Sequence, residues 1–397
     1  MLKSLFLQVI FPSILLFSEE NEGFIKVKGK NLADKNGKIF FIKGINLGNW
    51  LLPEGYMWLL SSSYYDRPRR IEKLIIDLIG TDKAKEFWKK YRDKYITEED
   101  IKEIKNIGFN TIRVPINYRL FLEENSTNLI DEGFIYLDRL VNWCRKYNLF
   151  LVIDLHAAPG GQTGDNIDDS EANSTDLFKN EFYEEMTVFL WKNIALRYKD
   201  EKNILAYDLL NEPLPKRENN IHLYYKLEIL YKKITKAIRE VDTNHIITIE
   251  GANWATDFSI FSEPFDSNIL YQFHKYWDNT DDASLEKYLY FREKYNVPVW
   301  CGETGENNNQ WYYNNFRLLE KHNIGWAFWP WKKLYNPNCP YSIKYPDGWG
   351  KVTSYARYGT KLEREEAERI LSNFIENILI KNCEFNEEVI KAIFGRK

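Results

Sequence analysis

Short apolar, β-prone runs recur along the chain and alternate with helix-like segments, and this alternation constrains the fold more than any other feature. Each run ends in polar residues or glycine. The runs span residues 39–46, 110–116, 149–156, 204–211, 245–251, 269–274, 297–303 and 324–331. Near-continuous apolar strands that alternate with helices are typical of a parallel sheet. Eight such units, closed on themselves, predict a (β/α)8 TIM barrel within an α/β fold class.

The segments between the runs carry the apolar spacing of amphipathic helices. Thr97, with Asp100 three residues later, predicts a capped helix start. The longer helical segments are predicted at 131–148, 181–199, 221–241 and 283–296. An open doubly wound sheet is the competing fold. Such a sheet usually carries a glycine-rich phosphate or dinucleotide motif after its first strand, and this sequence has none there. The barrel is therefore favoured.

Three further segments complete the predicted architecture. Asn36-Gly37, between two β-prone runs, predicts an N-terminal hairpin ahead of the barrel. A long insert separates strands one and two. Residues 362–380 form an amphipathic pattern and are predicted to be the last barrel helix, followed by a short capping segment. The sequence contains no internal repeat and no low-complexity linker, so residues 21–397 are predicted to form a single domain.

The first residues, MLKSLFLQVIFPSILLF, place one lysine before a short apolar stretch. This pattern predicts a signal peptide over residues 1–20 and a secreted, periplasmic or cell-surface protein. The alternative is a buried or disordered N-terminal segment of a cytoplasmic protein. In an exported protein the cysteines could form one or two disulfides, and free buried thiols are the other possibility. The cysteines are Cys144, Cys301, Cys339 and Cys383.

Composition narrows the range of partners. The formal net charge is -4 and no basic run dominates, so nucleic-acid binding is not expected. No CxxC motif or other metal-ligand spacing occurs, and neither a metal nor an organic cofactor is expected. Membrane contact is not expected once the leader is removed, and the protein is expected to be a monomer. Aromatic residues make up 16% of the chain, which suits either an aromatic-lined groove or a large core.

Polar side chains stand at the carboxyl ends of the predicted strands, where a barrel brings side chains together. They are carboxylates, imidazoles, an arginine, an amide, a phenol and indoles. The set comprises Arg113, Asp154, His156, Asn211, Glu212, Glu250, His274, Tyr276, Glu303, Trp329 and Trp331. Any one of them alone could be a structural hydrogen-bonding or core residue. Their joint occurrence at successive strand ends favours a functional site.

Two of these carboxylates suit the cleavage of glycosidic bonds. That reaction needs one protonated carboxyl to assist the departing oxygen and one ionised carboxylate to attack the anomeric carbon or activate water. Glu212 and Glu303 end predicted strands four and seven, which lie nearly opposite each other in a barrel of eight strands. The gap between them leaves room for a sugar ring, and an indole such as that of Trp329 offers a flat apolar face for stacking.

The sequence also resembles glycoside hydrolase family 5, the cellulase family of retaining (β/α)8 glycosidases. The motifs are LLNEP (209–213) and GETG (302–305), supported by KGINLGNWL, NTIRVPI, IDLHAAPGGQ, FHKY and FWPWK. The resemblance implies that Glu212 is the acid/base and Glu303 the nucleophile. It further implies that Arg113 hydrogen-bonds Glu303. The remaining substrate-binding residues that the resemblance implies are His156, Asn211, His274, Tyr276 and Trp329. In that family Asn211 would hold the sugar 2-hydroxyl. Trp329 would be the sugar platform, with Trp331 as a second candidate for that role.

GINLGNWL and DLHAAPGGQ are closest to the exo-β-1,3-glucanase-like branch of that family. That branch carries an acidic residue soon after the tryptophan of the first motif, and it stays open whether Glu54 takes that place. The sequence also leaves open whether the enzyme acts at chain ends (exo) or within chains (endo). The leading hypothesis is a retaining β-glycosidase that hydrolyses a β-glucan-type polysaccharide by double displacement. The alternatives are a β-mannanase, a glycolipid glycosidase on the same fold, or a non-catalytic carbohydrate-binding protein.

Overall fold

The computed structural model describes residues 23–396, and its centre is a closed barrel of parallel strands. The barrel strands are β4 (Lys43–Asn46), β5 (Thr111–Asn117), β6 (Phe150–Ala157), β7 (Ile204–Asp208), β8 (Ile246–Glu250), β9 (Ile269–His274), β10 (Val299–Gly305) and β11 (Gly325–Trp329). β11 pairs with β4 and closes the ring of eight. The predicted barrel is thus confirmed.

Helices surround the barrel and account for the uninterrupted apolar character of its strands. They are α1 (Pro68–Ile79), α2 (Thr81–Tyr95), α3 (Glu98–Ile107), α4 (Glu132–Tyr147), α5 (Glu181–Tyr198), α6 (Glu218–Ile221), α7 (Tyr224–Arg239), α8 (Ala252–Ala255), α9 (Glu286–Tyr295), α10 (Asn309–Lys321), α11 (Trp349–Tyr358), α12 (Arg364–Asn377) and α13 (Glu387–Phe394). Of these, α8 is a single short turn whose Asn253 and Trp254 have left-handed and not helical backbone angles. Every residue of β5 and β6 is buried, because one face of each strand fills the barrel and the other meets helices.

The point of closure needs a glycine. β4 and β11 approach so closely at Gly44 that a Cβ there would lie 2.8 Å from the Cβ of Ala327. Gly44 therefore lets the last strand meet the first.

The N-terminal sheet consists of β1 (Lys26–Lys28), β2 (Asn31–Ala33) and β3 (Ile39–Phe40). β2 and β3 are antiparallel and are joined through Asn36-Gly37, with Gly37 at φ 80°, so the predicted hairpin is confirmed. The interpretation of 39–46 as one strand was wrong. Its first part, β3, pairs with β2, where Phe40 lies opposite Leu32. Only its second part, β4, joins the barrel, where it pairs with β5 and β11.

The predicted last barrel helix is also placed differently. α12, within the predicted segment, packs against α1 and α2, the first two of the three α-helices between β4 and β5. The segment beyond it forms β14 (Glu384–Phe385) and α13. α13 packs against α10, and its Phe394 contacts the ring of Trp326 on β11 at 5.8 Å between centroids. α13 therefore covers the barrel after β11, and α12 covers the insert instead.

The predicted leader, residues 1–20, lies outside the described residues. Within residues 23–396, no helix has the length and apolar character needed to cross a bilayer. All four cysteines are free thiols. Cys144, Cys301 and Cys339 are buried, as the second of the two possibilities above expects, and Cys383 is half-buried.

A buried ion pair fixes the chain just beyond β11. The carboxylate of Asp100, in the predicted capping box at the start of α3, accepts hydrogen bonds from the Trp331 indole and the Lys332 ammonium, each at 2.9 Å. Both members of the ion pair are fully buried, and Lys332 also donates to the Ile378 carbonyl. These contacts connect three elements: α3, β12 (Lys332–Leu334) and the end of α12. β12 in turn pairs with β13 (Tyr341–Ile343).

Removal of one partner of this pair is expected to destabilise the fold strongly. Lys332→Ala leaves the Asp100 carboxylate buried without its cation, which costs about 3–5 kcal/mol of the free energy of unfolding. Chemical denaturation of wild type and variant measures this change. Lys351→Ala, which removes one side of an exposed ion pair with Glu366, is the matched control and is expected to leave the midpoint nearly unchanged. Equal midpoints for Lys332→Ala and wild type would contradict the assignment.

Candidate active site

A cleft of about 540 Å³ opens at the carboxyl ends of the barrel strands. It is lined by carboxylates, two imidazoles and a set of aromatic rings. The lining residues are Glu54, Tyr56, His156, Asn166, Ile167, Glu212, Trp254, Thr256, His274, Tyr276, Trp277, Asp278, Glu303, Glu306 and Trp329. The cleft therefore combines ionisable groups with flat apolar faces.

The Arg113 guanidinium is the fully buried cation beneath this cleft. It donates to Asp208 at 2.7 Å, to Glu250 at 3.1 Å and to Glu303 at 2.5 Å. It also lies 3.1 Å from an oxygen of Asp154. Its further partners are the amide oxygens of Asn46 and Asn211. Arg113 thus joins side chains from β4, β6, β7, β8 and β10 and from the segment that follows β7.

The Arg113 contact determines the orientation of Asn211 and through it the protonation of His156. Because the Asn211 oxygen accepts from Arg113, its NH2 group faces Nε2 of His156 at 3.2 Å, and this nitrogen must accept. The other ring nitrogen, Nδ1, lies 2.6 Å from a carboxylate oxygen of Asp154 and donates to it. Both contacts fit a neutral imidazole, and burial lowers the pKa of His156 to about 4.

Glu212 sits in a left-handed backbone conformation, with φ 46°, four residues after the end of β7. Its backbone N–H donates to a Glu250 oxygen at 2.7 Å, which holds this unfavourable conformation. Its side-chain oxygen accepts from Nδ1 of His274 at 2.7 Å. The strand therefore ends before Asn211, and the carboxyl group reaches the cleft through this turn.

Glu303 lies within β10 and faces Glu212 across the cleft. One oxygen accepts from Arg113, and the other accepts from the Tyr276 hydroxyl at 2.8 Å. A carboxylate oxygen of Glu212, a ring nitrogen of His274 and a carboxylate oxygen of Glu303 all lie within 4.8 Å of one another. The two carboxyl groups are thus close neighbours.

The surroundings shift the pKa values of Glu303 and Glu212 in opposite directions. Burial disfavours the charged form of Glu303, but the positive charges of His274 and Arg113 outweigh it and lower the pKa of Glu303. Burial raises the pKa of Glu212, and the hydrogen bond from His274 offsets only part of this effect. Glu303 is thereby held ionised while Glu212 holds its proton to higher pH.

Three other buried groups near Glu212 and Glu303 also have shifted pKa values: His274, Asp154 and Asp208. Burial opposes protonation of His274, but the neighbouring charges of Glu250 and Glu303 raise its pKa well above the usual value. Burial also raises the pKa of both Asp154 and Asp208, although Arg113 opposes the shift. One oxygen of each aspartate has no hydrogen-bond partner within residues 23–396.

Trp329, at the end of β11, forms one wall of the cleft. Its ring stacks on His156, with centroids 5.5 Å apart and planes inclined by 8°, and its Nε1 donates to the Tyr56 hydroxyl at 2.9 Å. A Cβ at Gly48 would come within 2.7 Å of the indole, so this glycine makes room for the ring. Trp331, the second candidate, is instead buried against Asp100 outside the cleft.

The structure brings all eight predicted site residues together: Arg113, His156, Asn211, Glu212, His274, Tyr276, Glu303 and Trp329. Glu54, left open by the sequence, lines the cleft and is buried. The sequence reasoning missed Asp208, Tyr56, Glu306, Trp254 and Trp277. Asp208 carried a usable signal, since it is a charged residue inside the apolar run of strand four.

Two groups in the cleft have the composition of a metal site. They are Asp154 with His156 and Glu303, and Glu212 with His274 and Glu303. In both groups the histidine nitrogens and carboxylate oxygens already form the hydrogen bonds described above. A bound cation would have to replace those hydrogen bonds, so the network by itself accounts for the cluster.

Most of the chain matches a known protein family. A family model described as Cellulase (glycosyl hydrolase family 5) matches residues 76–334. The chain belongs to glycosyl hydrolase family 5. As a member of this family, the protein is a glycoside hydrolase, and its barrel is the fold expected from the resemblance in the sequence.

Relatives in this family differ in their named substrates. The chain is 30% identical over 258 residues to the Beta-xylosidase of Phanerodontia chrysosporium. The aligned region covers 65% of this chain and 50% of that protein, so the chain spans half the length of that relative. It is 27% identical over 377 residues to the Probable glucan endo-1,6-beta-glucosidase B of Aspergillus flavus, covering 82% and 94% of the two chains. The solved structure of endoglucanase Cel5A from Thermotoga maritima shares the fold, with a TM-score of 0.53, 19% identity, and coverage of 88% and 96%.

The low pKa of His156 predicts a loss of stability in mild acid. Between the unfolded value of 6.5 and the folded value of about 4, the unfolded chain binds a proton that the folded chain rejects. The free energy of unfolding should therefore fall by about 3 kcal/mol more in wild type than in His156→Gln between pH 7 and pH 4. Chemical denaturation at several pH values measures this difference.

The control is His222→Gln, which removes an exposed imidazole and is expected to keep the wild-type pH dependence. Parallel curves for wild type and His156→Gln across this pH range would show that the ring is not held neutral.

Proposed function

We propose that this family 5 enzyme is a retaining β-glycosidase, with Glu212 as acid/base and Glu303 as nucleophile. The observation that carries the proposal is the pair of carboxyl oxygens within 4.8 Å of each other whose pKa values are shifted in opposite directions. Retaining enzymes place their two carboxyl groups about 5–5.5 Å apart, whereas inverting enzymes need about 6.5–9.5 Å to admit a water molecule. The close approach supports retention.

In the first step, the protonated Glu212 donates its proton to the glycosidic oxygen while ionised Glu303 attacks the anomeric carbon. The bond to the leaving sugar breaks and a covalent glycosyl-enzyme forms. Arg113 and the Tyr276 hydroxyl hold the Glu303 oxygens by hydrogen bonds, which keeps the carboxylate charged and aligned before attack.

In the second step, the roles of the two residues change. Glu303 loses its charge in the glycosyl-enzyme, and that charge contributes to the raised pKa of Glu212. The pKa of Glu212 then falls, so its carboxylate can take a proton from water as the water attacks the anomeric carbon. Two inversions at this carbon give net retention.

The substrate we propose is a β-glucan-type polysaccharide. Trp329 offers the sugar an indole face, and Asn211, already oriented by Arg113, lies beside the acid to hold the 2-hydroxyl. The Aspergillus flavus relative, named as a glucan endo-1,6-beta-glucosidase, is matched over 94% of its length and favours a glucan over other polymers. The presence of both glutamates argues against a carbohydrate-binding protein without activity.

Variants of the two glutamates are expected to lose activity in different ways. Glu303→Ala should lower kcat/KM on the preferred polymer by at least about four orders of magnitude, because no glycosyl-enzyme can form. Glu212→Ala should lose roughly 10²–10⁴-fold, and less on a substrate with an activated leaving group. Reducing ends released from laminarin, pustulan, carboxymethyl-cellulose and mannan measure these changes and rank the substrates.

Azide provides the specific test of each role. With an activated β-glycoside, azide should restore turnover of Glu303→Ala and yield the α-glycosyl azide, whereas Glu212→Ala should yield the β-glycosyl azide. Glu388→Ala, a change at an exposed glutamate of α13, is the matched control and should behave as wild type. A Glu303→Ala variant that still releases reducing ends at the wild-type rate would exclude the assigned nucleophile.

A further inference from the structure

A buried carboxylate at the end of β8 lies behind the cleft. Glu250 is fully buried and is not part of the cleft lining described above. Its Oε1 accepts from Nη2 of Arg113 at 3.1 Å and from the Gln272 amide at 2.5 Å. Its Oε2 accepts from the Glu212 backbone N–H at 2.7 Å. Glu250 therefore contacts, at the same time, the cation that binds the proposed nucleophile and the backbone of the proposed acid.

These contacts form a continuous path between the two proposed catalytic residues. Arg113 donates from Nη1 to Glu303 and from Nη2 to Glu250, and Glu250 accepts the N–H of Glu212. Arg113 and Glu250 are both fully buried. Hydrogen bonds between charged groups are stronger in such surroundings than in water. One arginine and one glutamate thus connect Glu303 to Glu212 through rigid, directional contacts.

The segment that carries the proposed acid needs an anchor at this point. Glu212 and Leu214 both have left-handed backbones, with φ 46° and 51°, and Pro213 between them has no N–H to donate. The N–H groups of Asn211 and Leu214 donate to backbone carbonyls. The hydrogen bond to Glu250 is therefore the one that acts on the backbone of Glu212 itself.

Glu250 is in turn held in place from the helix layer. The hydroxyl group of Tyr231, on α7, donates to the Glu250 carbonyl at 2.9 Å. The same hydroxyl oxygen accepts from the Glu250 N–H at 3.3 Å. Both the backbone of Glu250 and its two carboxylate oxygens are thus fixed before any substrate arrives. A side chain that is locked in this way can hold a neighbouring group to a precise position.

We propose that Glu250 is the positioning residue that holds the acid/base Glu212 at its working distance from the nucleophile Glu303. This inference rests on the proposed function, because it takes the two glutamates in those roles. Glu250 acts through Arg113 and through the Glu212 backbone. The position requires a carboxylate, because both oxygens face donors. The NH2 group of an amide in place of either oxygen would face another donor.

Glu250→Gln should therefore displace the acid without removing it. Two substrates measure this displacement. One is laminaritriose, gentiotriose or cellotriose, whichever the wild type hydrolyses fastest, and its cleavage needs a proton from Glu212. The other is dinitrophenyl β-glucoside, whose leaving group departs without protonation. The ratio of kcat/KM for the trisaccharide to kcat/KM for the glucoside should fall roughly tenfold or more, which is part of the contribution of a general acid.

Azide provides a second measurement, which a loss of stability alone would not change. Azide attacks the glycosyl-enzyme without the help of a base. It should therefore raise kcat of Glu250→Gln on dinitrophenyl β-glucoside and yield the β-glucosyl azide, while the wild-type kcat stays nearly unchanged. Glu250→Asp keeps a carboxylate on a side chain shorter by one methylene. Its ratio and its azide response should lie between those of wild type and Glu250→Gln.

The matched control is Asp242→Asn, the same kind of change at a buried carboxylate before β8, at the amino end of the barrel strands. Asp242 accepts from the Tyr207 hydroxyl and contacts the His245 ring, so this variant should lower Tm. It should leave the substrate ratio and the azide response as in wild type.

The outcomes separate this inference from the proposed function. A wild-type ratio without azide activation in Glu250→Gln or Glu250→Asp would overturn the positioning role, as would an Asp242→Asn variant with the same lowered ratio. Failure of the wild type to hydrolyse the glucoside and every trisaccharide would overturn the proposed function, and the role of Glu250 with it.

Discussion

The buried guanidinium of Arg113 is the interaction on which the rest of the site depends. A cation removed from water costs several kcal/mol unless its geometry and hydrogen bonds are fully satisfied. Arg113 meets this condition with carboxyl groups from β6, β7, β8 and β10 and with amide oxygens that include Asn46 of β4. Because these partners come from strands around the ring, the requirement to satisfy one charge fixes the positions of the strand ends relative to each other.

The same charge sets the chemistry of the cleft by a short series of contacts. Arg113 orients the Asn211 amide, the amide requires an unprotonated nitrogen on His156, and the neutral His156 ring stacks on Trp329. On the other side, His274 and Arg113 outweigh burial at Glu303 and keep it ionised, whereas burial outweighs the hydrogen bond from His274 at Glu212. The difference between the two glutamates thus follows from the balance of burial and positive charge at each.

The sequence predicted the barrel, because apolar runs that alternate with amphipathic segments have few other solutions, and it predicted Glu212 and Glu303, because strand ends of a barrel converge. It could not tell which amphipathic segment covers the last strand, since α12 and α13 both have an apolar face and only packing distinguishes their partners. Asp208 was overlooked because a charge inside an apolar run is explained only by a buried partner, Arg113, that lies far away in the sequence. Trp254 and Trp277 depend on backbone conformations that no periodicity indicates.

The carboxyl end of the barrel has two levels: a rigid level around Arg113, and above it a rim of residues in strained backbone conformations. The lower level, around Arg113, is fully buried and fixed by ionic hydrogen bonds. The rim above it carries left-handed residues with side chains, among them Glu212, Leu214, Trp254, Trp277 and Glu306. Each such residue costs about 1–2 kcal/mol, so the rim alone would relax to other conformations. Contacts between the levels prevent this: Glu250 binds Arg113 with one oxygen and the Glu212 backbone N–H with the other. The rigid level therefore holds Glu212 in the conformation that directs its side chain into the cleft.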